Sequence, residues 1–240
     1  MEKFKINKNL DIKKLKNDFK KNDAITIENF LDINDADRLY NFLAKEMPED
    51  WWYASCLISK SGKPEFFRRN TIINQKVKVF TQLAYKSLAS GNFSYMFDRT
   101  VSHSDKCTCL KCQYKNFLTS NEFKEFINSI TGINTSKVGE LFASRFTQGN
   151  FLGPHHDKAK GKLSLVYSLS KNWKPEYGGN LYLLEDDYKT IKKVILSSYN
   201  RLALTLMNAP EKQKIGTPHF VSQVAGAVNK PRLSITCWLS

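Results

Sequence analysis

The spacing of hydrophobic positions changes about midway along the chain, and this change predicts two regions. In the first half, apolar residues recur at steps of three and four, as between Ala36 and Leu43, which is typical of a helix packed on one face. From about residue 138 they alternate with polar residues, as between Leu163 and Leu169, which is typical of half-buried strands. We therefore expect a helical supporting region with a cysteine-containing loop over residues 1–137 and a strand-rich core over residues 138–240, joined as one continuous domain.

Local start and stop signals locate elements within the first region. Ser120 suits an N-cap and Gly132 a helix stop, which predicts a helix from Ser120 to Ile130. Another helix is predicted after Asp32 or Asn34, either of which can cap it. Further helices are expected over residues 10–21 and 74–89 and a strand over 24–27, while 47–70 are expected to be loop-like and 91–116 show few periodic apolar positions.

Segments of period two dominate the second region and predict its fold. They continue over residues 181–184, 202–207 and 233–239. Gly178 and Gly179 fit a tight turn before a strand, because glycine adopts positive φ without a steric penalty. Many short antiparallel strands that close on one another form a jelly-roll barrel whose mouth holds small ligands. The expected fold class is α+β with a mainly β core, a double-stranded β-helix (jelly-roll, cupin-like) barrel braced by N-terminal helices.

The composition is that of an ordinary globular protein except for its charge. Hydrophobic residues make up 41% of the chain, and the formal net charge is +14. Clustered Lys and Arg would indicate a nucleic-acid partner, but lysine is spread along this chain, and its clusters at 13–16 and 20–21 fall on a predicted amphipathic helix whose solvated face explains them. A nucleic-acid partner is therefore disfavoured, whereas an acidic protein substrate would suit this surface.

Neither a membrane span nor a signal peptide is predicted. No run approaches the roughly 18 to 20 apolar residues that span a bilayer, and residues 1–16 lack the apolar centre of a signal peptide. The five cysteines are an odd number in an otherwise unremarkable composition, so a disulfide framework is not expected. These features favour a cytoplasmic protein, in a reducing compartment and without a membrane partner.

A His-x-Asp pair, His155 and Asp157, carries the most informative chemistry of the chain. In a strand, residues i and i+2 point to the same side, so both side chains can face a barrel interior while His156 points away. Two imidazoles and one carboxylate can hold a redox iron and leave positions free for other ligands. The candidates for the second imidazole are His103 and His219, and His219 is better placed because it lies between two strand-like runs.

Arg232 opens an alternating run that continues to Leu239. A guanidinium that projects into an apolar pocket needs a carboxylate partner, and its planar fork matches one with two hydrogen bonds. Ser234 lies on the same face of the predicted strand, so its hydroxyl could bond the same carboxylate.

Taken in order, these motifs resemble the 2-oxoglutarate- and Fe(II)-dependent dioxygenase superfamily, and within it the prolyl 4-hydroxylase-like branch. The shared motifs are H-x-D, then W-K-P-E-x-G-G from Trp173, P-H-F-V from Pro218 and R-x-S-x-x-x-W from Arg232. The resemblance covers the C-terminal half strongly and the rest by general layout. Where the branch commonly has a tyrosine that helps to hold the cosubstrate, this chain has Phe146, and Tyr167 and Tyr182 are the candidates to replace that phenol.

The resemblance implies a hydroxylase in which His155, Asp157 and His219 bind Fe(II) and are the catalytic residues. 2-Oxoglutarate and O2 would be cosubstrates, with Arg232 and Ser234 on the distal carboxylate of 2-oxoglutarate, and ascorbate is a further candidate cofactor. The implied reaction is hydroxylation of an unactivated C–H bond in a prolyl or other side chain of a protein or peptide. A free amino acid or small biosynthetic intermediate is the alternative substrate.

Other interpretations of the same residues are disfavoured. Nucleic-acid demethylases of this fold usually have a second arginine six residues after the first, where this chain has Trp238. A catalytically inactive binding module is at odds with an intact triad and arginine.

Near the barrel mouth, the aromatic run Trp51-Trp52-Tyr53 and the basic stretch 66–69 are candidates for substrate contacts.

Three of the cysteines lie close to a histidine in one short segment. His103, Cys107, Cys109 and Cys112 together offer the four ligands of a tetrahedral zinc site. Their C-x-C-x-x-C spacing differs from the usual paired C-x-x-C, and a single segment must wrap tightly to present all four. Reduced, non-ligating cysteines in a loop over the iron site are therefore preferred, and a zinc-stabilised nucleic-acid-binding module is a distant alternative.

Overall fold

The computed structural model describes residues 3–58, 62–104, 106–157, 160–209 and 214–240. Its helices are α1 (Ile12–Asn22), α2 (Ile33–Asn41), α3 (Asn74–Ala89), α4 (Leu110–Leu118) and α5 (Asn121–Thr131). Its strands are β1 (Ala24–Glu28), β2 (Trp52–Leu57), β3 (Glu65–Arg68), β4 (Tyr95–Thr100), β5 (Phe142–Phe146), β6 (Phe151–His155), β7 (Leu163–Ser168), β8 (Leu181–Leu184), β9 (Ile191–Ile195), β10 (Arg201–Leu206), β11 (Asn208–Ala209), β12 (Lys214–Ile215), β13 (His219–Val221) and β14 (Arg232–Leu239).

Capping residues begin and end the helices where the sequence predicts. The Asp32 carboxylate accepts a hydrogen bond from the Asn34 amide at the start of α2, and the Ser120 hydroxyl accepts one from the Phe123 amide at the start of α5. Gly132 ends α5 in the left-handed region. The helices predicted over 10–21, 74–89 and 120–130 are thus confirmed as α1, α3 and α5.

Twelve strands form one antiparallel sheet that curls into the barrel, so the predicted jelly-roll fold with a mainly β core is confirmed. Along the sheet the strands follow the order β1-β10-β7-β14-β5-β4-β6-β13-β8-β9, and β2 pairs with β4 on one side and β3 on the other. A separate pair joins β11 to β12. The large sheet contains strands from before and after residue 138. The division of the chain into two regions at that residue stays a proposal.

The main hydrophobic core lies between the helices and one face of the barrel. Leu165 and Tyr167 of β7 pack there against aromatic residues of the N-terminal region and of α4, among them Phe30 and Tyr114. A second cluster, which includes Phe97 and Phe146, lies on the inner face of the barrel. The barrel wall is therefore buried on both faces along β7, and large side chains on one face do not identify the interior.

Two segments contradict the expectations for the first region. Residues 47–70 contain β2 and β3, and residues 91–116 contain β4 and the start of α4. β2 is buried on both faces, so it shows no alternation of polar and apolar residues. β4 has Asp98 and Arg99 at its centre, which hides a strand from any search for hydrophobic periods.

No helix in the described part of the chain combines the length and the apolar character needed to cross a bilayer.

Candidate active site

Three predicted ligands converge on the inner face of the barrel. His155 ends β6 and His219 begins β13, and these two residues are directly paired in the antiparallel register. Asp157 follows β6 by two residues, and its carboxylate is buried. One ligand atom from each of the three side chains lies within 4.8 Å of the others. His156 does not belong to this group, as the alternation along the strand predicts.

Hydrogen bonds to the backbone determine which imidazole nitrogens face the centre. Nδ1 of His155 donates to the Gly153 carbonyl oxygen at 3.0 Å, and Nδ1 of His219 donates to the Thr217 carbonyl oxygen at 2.8 Å. Because a carbonyl oxygen only accepts, the proton of each neutral ring lies on Nδ1 and Nε2 keeps its lone pair. The tautomer of both rings is thus the one that binds a metal through Nε2.

The Nε2 lone pairs point at a carboxylate that cannot donate a proton to them. The distance from Asp157 Oδ1 to His155 Nε2 is 3.7 Å, and that from Asp157 Oδ2 to His219 Nε2 is 3.5 Å. At these distances a lone pair of the nitrogen faces a lone pair of the oxygen. Because two lone pairs repel each other, the arrangement favours a cation between the two atoms. Two imidazoles and one carboxylate are the donor set of non-haem Fe(II) oxygenases, so the residues present fit that metal.

The local electrostatics keep these ligands in their metal-binding forms. Burial and the neighbouring His219 lower the pKa of His155 to about 3, so this imidazole is neutral at physiological pH. Burial raises the pKa of Asp157, but the interactions with His219 and His155 outweigh it and lower the pKa overall. A neutral imidazole and an ionised carboxylate are the forms that bind metal without first losing a proton.

Trp238, Lys160 and Phe93 hold the triad in place. The Trp238 indole Nε1 donates to Asp157 Oδ2 at 3.0 Å, and Lys160 Nζ lies 3.1 Å from Asp157 Oδ1 and 4.2 Å from the centroid of the Trp238 ring. Phe93 stacks on His155 with ring centroids 4.8 Å apart. Sequence reasoning gave Trp238 no role at the metal site and did not identify Lys160 or Phe93.

Arg232, the first residue of β14, is 3% exposed. Its Nε donates to Ser197 Oγ at 2.7 Å, and its Nη1 donates to Ser234 Oγ at 3.0 Å. Among the described residues, no carboxylate lies within 4.0 Å of the guanidinium, and burial lowers the pKa of Arg232 to about 10. The group is still cationic at neutral pH, and a buried cation without a counter-charge favours a bound anion.

The triad and Arg232 line the same cavity, whose volume is about 620 Å³. Its walls are mostly apolar and aromatic, with the following rings among the lining residues: Phe93, Tyr95, Phe97, Phe142, Phe146 and Trp238. Such a cavity, with a few convergent polar groups, is typical of a site for a small ligand.

Tyr167 and Tyr182 do not line this cavity, so their assignment to the cosubstrate is corrected. Tyr167 lies in the core beneath the helices, where its hydroxyl donates to Asn200 Oδ1 at 2.7 Å, while the adjacent Val166 faces the cavity. Tyr182 stacks on Phe220 at 4.6 Å. Along both strands the tyrosine occupies the face opposite the cavity.

The cavity offers other phenols, which sequence reasoning missed. Tyr95 on β4 and Tyr188 after β8 are the tyrosines among its described lining residues. Phe146 lies where the related branch has tyrosine, and its ring stacks on Phe97 with centroids 4.6 Å apart. Tyr95 was missed because β4 shows no period-two pattern.

The aromatic run at residues 51–53 lies outside the cavity lining. The Trp52 side chain is buried beneath the Arg145 guanidinium, and the Tyr53 hydroxyl accepts a hydrogen bond from Arg68 Nε. None of residues 66–69 lines the cavity either. The described contacts of both segments are with the protein itself.

The structure also brings together the second set of predicted ligands. His103, Cys107, Cys109 and Cys112 offer ligand atoms that all lie within 4.8 Å of one another. His103, Cys107 and Cys112 line a separate small cavity, and none of the four lines the cavity of the triad. The expectation that this loop lies over the iron site is therefore wrong.

Comparison with known proteins agrees with the site. Residues 141–240 match the family model of the 2OG-Fe(II) oxygenase superfamily. A comparison with curated protein sequences gives no match.

Solved structures share the fold along the whole chain. An oxidoreductase of the 2OG-Fe(II) oxygenase family from Burkholderia pseudomallei is 12% identical with a TM-score of 0.61, over 100% of this chain and 96% of that one. A prolyl-4-hydroxylase from Pseudomonas putida is 14% identical with a TM-score of 0.57, over 100% and 96%. A prolyl hydroxylase from Trichoplax adhaerens, in complex with a hypoxia inducible factor peptide, is 16% identical with a TM-score of 0.57, over 95% and 88%.

These identities are low, so the structural likeness concerns the fold. The match over residues 141–240 spans β5 to β14 and includes every residue of the triad and Arg232. The resemblance stated from the sequence motifs is thereby confirmed: residues 141–240 match the 2OG-Fe(II) oxygenase superfamily, the chain has the fold of 2OG-Fe(II) oxygenases and prolyl hydroxylases, and these findings support a dioxygenase.

Proposed function

We propose that the protein hydroxylates an unactivated C–H bond in a prolyl or other side chain of a protein or peptide, using Fe(II), 2-oxoglutarate and O2. One observation supports the chemistry above all others: three lone-pair donors line one cavity with a buried guanidinium that has no carboxylate partner in the described part of the chain. The three donors suit a cation, and the guanidinium suits a carboxylate of a ligand bound in the same cavity.

The roles of the residues follow from their positions. His155, Asp157 and His219 would hold Fe(II), and Arg232 would bind the distal carboxylate of 2-oxoglutarate. When bound, these groups supply the oxidant for C–H hydroxylation while 2-oxoglutarate is converted to succinate and carbon dioxide. Ser234 keeps the guanidinium oriented, since its hydroxyl accepts from Arg232 at 3.0 Å and hydrogen-bonds the Ser144 hydroxyl at 2.7 Å.

The protein's own contribution is position and the exclusion of water. Backbone carbonyls orient both imidazoles, and the indole of Trp238 orients the carboxylate. The aromatic walls leave little polar surface beside the triad, which restricts water near the reacting C–H bond.

The cavity favours an apolar substrate group. Leu57 at the end of β2 and Pro64 just before β3 line the cavity together with Phe93 and Tyr95. A hairpin at the cavity can contact the residues on either side of a hydroxylated side chain, which a small metabolite lacks. The Trichoplax adhaerens enzyme is a prolyl hydroxylase in complex with a peptide, and this supports the same substrate class here.

Mass spectrometry of a hydroxylation assay tests this proposal. The protein is incubated with Fe(II), 2-oxoglutarate and a proteolysed cell extract, with the His219→Ala variant as the inactive control. We expect a gain of one oxygen atom on prolyl peptides, matched by succinate formation. A gain confined to free amino acids or other metabolites would replace the peptide substrate with a small molecule, and no gain with either would contradict the proposed function.

Ascorbate is a further candidate cofactor of the proposed reaction. Ascorbate would restore iron to the ferrous state between turnovers, so its addition should prolong succinate formation in this assay.

The proposed location is cytoplasmic, and fractionation of cells that contain the tagged protein tests it.

A further inference from the structure

A second group of metal-type ligands lies on the segment between β4 and α4. His103 precedes a turn in which the Cys107 amide donates to the Ser104 carbonyl oxygen, and Cys109 and Cys112 lie at the N-terminus of α4. The proposed hydroxylation uses none of these residues, so a role for them is independent of that reaction.

The three sulfur atoms converge on one nitrogen. From His103 Nδ1 the distances are 3.3 Å to Cys107 Sγ, 3.5 Å to Cys109 Sγ and 3.7 Å to Cys112 Sγ. One ring nitrogen has either one proton or one lone pair, so it can form a hydrogen bond with only one of the three. Hydrogen bonding therefore does not account for the convergence.

A tetrahedral zinc ion does account for it. With Zn–S of about 2.3 Å and Zn–N of about 2.0 Å at tetrahedral angles, nitrogen and sulfur ligands lie about 3.5 Å apart. The three observed distances bracket this value. We propose that His103, Cys107, Cys109 and Cys112 bind one Zn²⁺ in a closed tetrahedral site.

The local fold explains how one short segment presents all four ligands. Cys109 is the N-cap residue of α4, and Cys112 lies in the first turn of that helix. Residues three apart at a helix start lie on one side of it. The amides at the helix N-terminus also stabilise the thiolate form that zinc binds. The objection that the spacing is too short is thus answered by the turn and the helix.

The charge of Lys111 supports the same site. Lys111 is 2% exposed, and its ammonium donates to Thr100 Oγ1 at 3.3 Å and to the Val101 carbonyl oxygen at 2.7 Å. Within the described residues no carboxylate lies within 4.0 Å of it, and it lines the same small cavity as Cys107 and Cys112. Three thiolates and one Zn²⁺ have a net charge of −1, which compensates the buried ammonium.

The site has a structural role, because four protein ligands leave no open position for substrate or water. It joins the end of β4 to the start of α4, whose Tyr114 packs in the main core. The Trp51 ring lies edge-on to His103 at 4.5 Å and shields one side. Zinc at this site would therefore stabilise the attachment of β4 to the helices.

Metal analysis and cobalt spectroscopy of the full chain test the proposal. Purified protein is dialysed and its zinc measured, and Co²⁺ is then exchanged into metal-depleted protein. We expect one zinc per chain and an intense sulfur-to-cobalt charge-transfer absorption, which the triad cannot produce because it contains no thiolate. The same measurements follow for Cys112→Ser, for His219→Ala and for Cys56→Ala, a buried cysteine of β2.

The variants separate this site from the iron site. Cys112→Ser should lose the zinc equivalent and the charge-transfer absorption, while His219→Ala and Cys56→Ala retain both. The measurement on the unaltered protein stands even if Cys112→Ser does not fold. Less than a tenth of an equivalent of zinc with no charge-transfer absorption would overturn the proposal. Zinc lost in His219→Ala but kept in Cys112→Ser, or a disulfide between two of the three cysteines, would also overturn it.

Discussion

Two arginines on neighbouring strands, the half-buried Arg145 and the buried Arg232, have opposite electrostatic surroundings. Arg145 on β5 donates to Asp98 Oδ2 at 3.0 Å and to Glu49 Oε2 at 2.8 Å, so its charge is compensated within the chain. Arg232 on β14 lies over the Phe146 ring at 5.0 Å, and among the described residues its hydrogen-bond partners are the hydroxyls of Ser197 and Ser234. The difference indicates that the counter-charge of Arg232 comes from a ligand.

The substitution Arg232→Met should therefore separate binding from stability. Loss of one partner of a buried charge pair costs about 3–5 kcal/mol, so we expect the Kd for 2-oxoglutarate to rise by two orders of magnitude or more. Without ligand, replacement of a buried unpaired charge by an apolar side chain is neutral or stabilising by about 1–4 kcal/mol. Calorimetric titration and denaturant unfolding measure the two quantities.

Arg145→Met is the matched control for this prediction. It leaves the buried carboxylate of Asp98 paired with Arg69 at 3.3 Å but without the hydrogen bond from Arg145, so the free energy of unfolding should fall by about 1–3 kcal/mol. If Arg232→Met destabilised the ligand-free protein as much as Arg145→Met does, the guanidinium of Arg232 would have a structural role instead.

The indole of Trp238 donates a hydrogen bond to Asp157 and would act through it on a bound metal. Trp238→Phe keeps an aromatic ring beside Lys160 but removes the hydrogen bond to Asp157 Oδ2. Loss of such a partner of a metal ligand typically weakens metal binding about 10- to 100-fold. We expect this increase in the Kd for Fe(II), with a smaller change in kcat at saturating iron.

Trp173→Phe controls for the loss of an indole donor. Trp173 Nε1 donates to the Gly178 carbonyl oxygen at 2.9 Å, away from the triad, so the Fe(II) affinity of this variant should be unchanged. Equal affinities for Trp238→Phe and the unaltered protein would show that the indole does not orient the carboxylate.

At the scale of elements, the periodicity of hydrophobic residues predicted those elements that have one buried face and one exposed face. Helices α1, α3 and α5 lie where expected, and α5 has clear end signals at Ser120 and Gly132. β2 and β4 were missed because β2 is buried on both faces and β4 contains Asp98 and Arg99, whose charges are paired only in three dimensions. Tyr95 was missed with β4.

The same limit explains the two tyrosine assignments. Along β7, Leu163, Leu165 and Tyr167 face the helices, while Ser164 and Val166 face the cavity. The pattern alone shows that two faces exist, but not which of them is the barrel interior. The triad and Arg232 were found because their motifs specify chemistry as well as spacing.

The turn before β8 provides a test of element geometry. Gly178 and Gly179 have φ of 70° and 65°, as predicted for a tight turn. A Cβ on Gly178 would lie 1.9 Å from the Gln223 backbone oxygen. Gly178→Ala should therefore lower the free energy of unfolding by about 2–4 kcal/mol, the sum of the positive-φ cost and a steric clash. Denaturant unfolding measures it.

Gly132→Ala provides the comparison at the end of α5. Gly132 also has positive φ, 73°, but a Cβ there meets nothing within 4 Å. We expect a loss of only about 1 kcal/mol, due to the backbone conformation. Equal losses for the two variants would contradict the packing of this turn against Gln223.

At the scale of the whole molecule, β4 connects the two parts of the site. It pairs with β5 through Asp98 and Arg99 and with β6 through Tyr95 and Met96. β5 pairs with β14, which begins at Arg232, and β6 pairs with β13, which begins at His219. β4 thus connects the strand pair that includes Arg232 with the strand pair that includes His219. It lies outside residues 141–240, which match the family model.

The fragment 138–240 should for this reason fail to fold alone. Without β4 the facing edges of β5 and β6 have unpaired backbone groups, and without the helices the apolar face of β7 is exposed. Urea unfolding followed by circular dichroism should show no cooperative transition for the fragment and a cooperative one for the full chain. A cooperative transition in the fragment would contradict the bridging role of β4.

The central claim is that three side chains hold one ferrous ion to which 2-oxoglutarate binds beside Arg232. Anaerobic titration with Fe(II) and 2-oxoglutarate, followed by visible absorption, measures this directly through the metal-to-ligand charge-transfer band. We predict a band that saturates at one Fe(II) per chain, persists in His156→Ala and is lost in His219→Ala. No band in the unaltered protein, or a band that survives His219→Ala, would contradict the account.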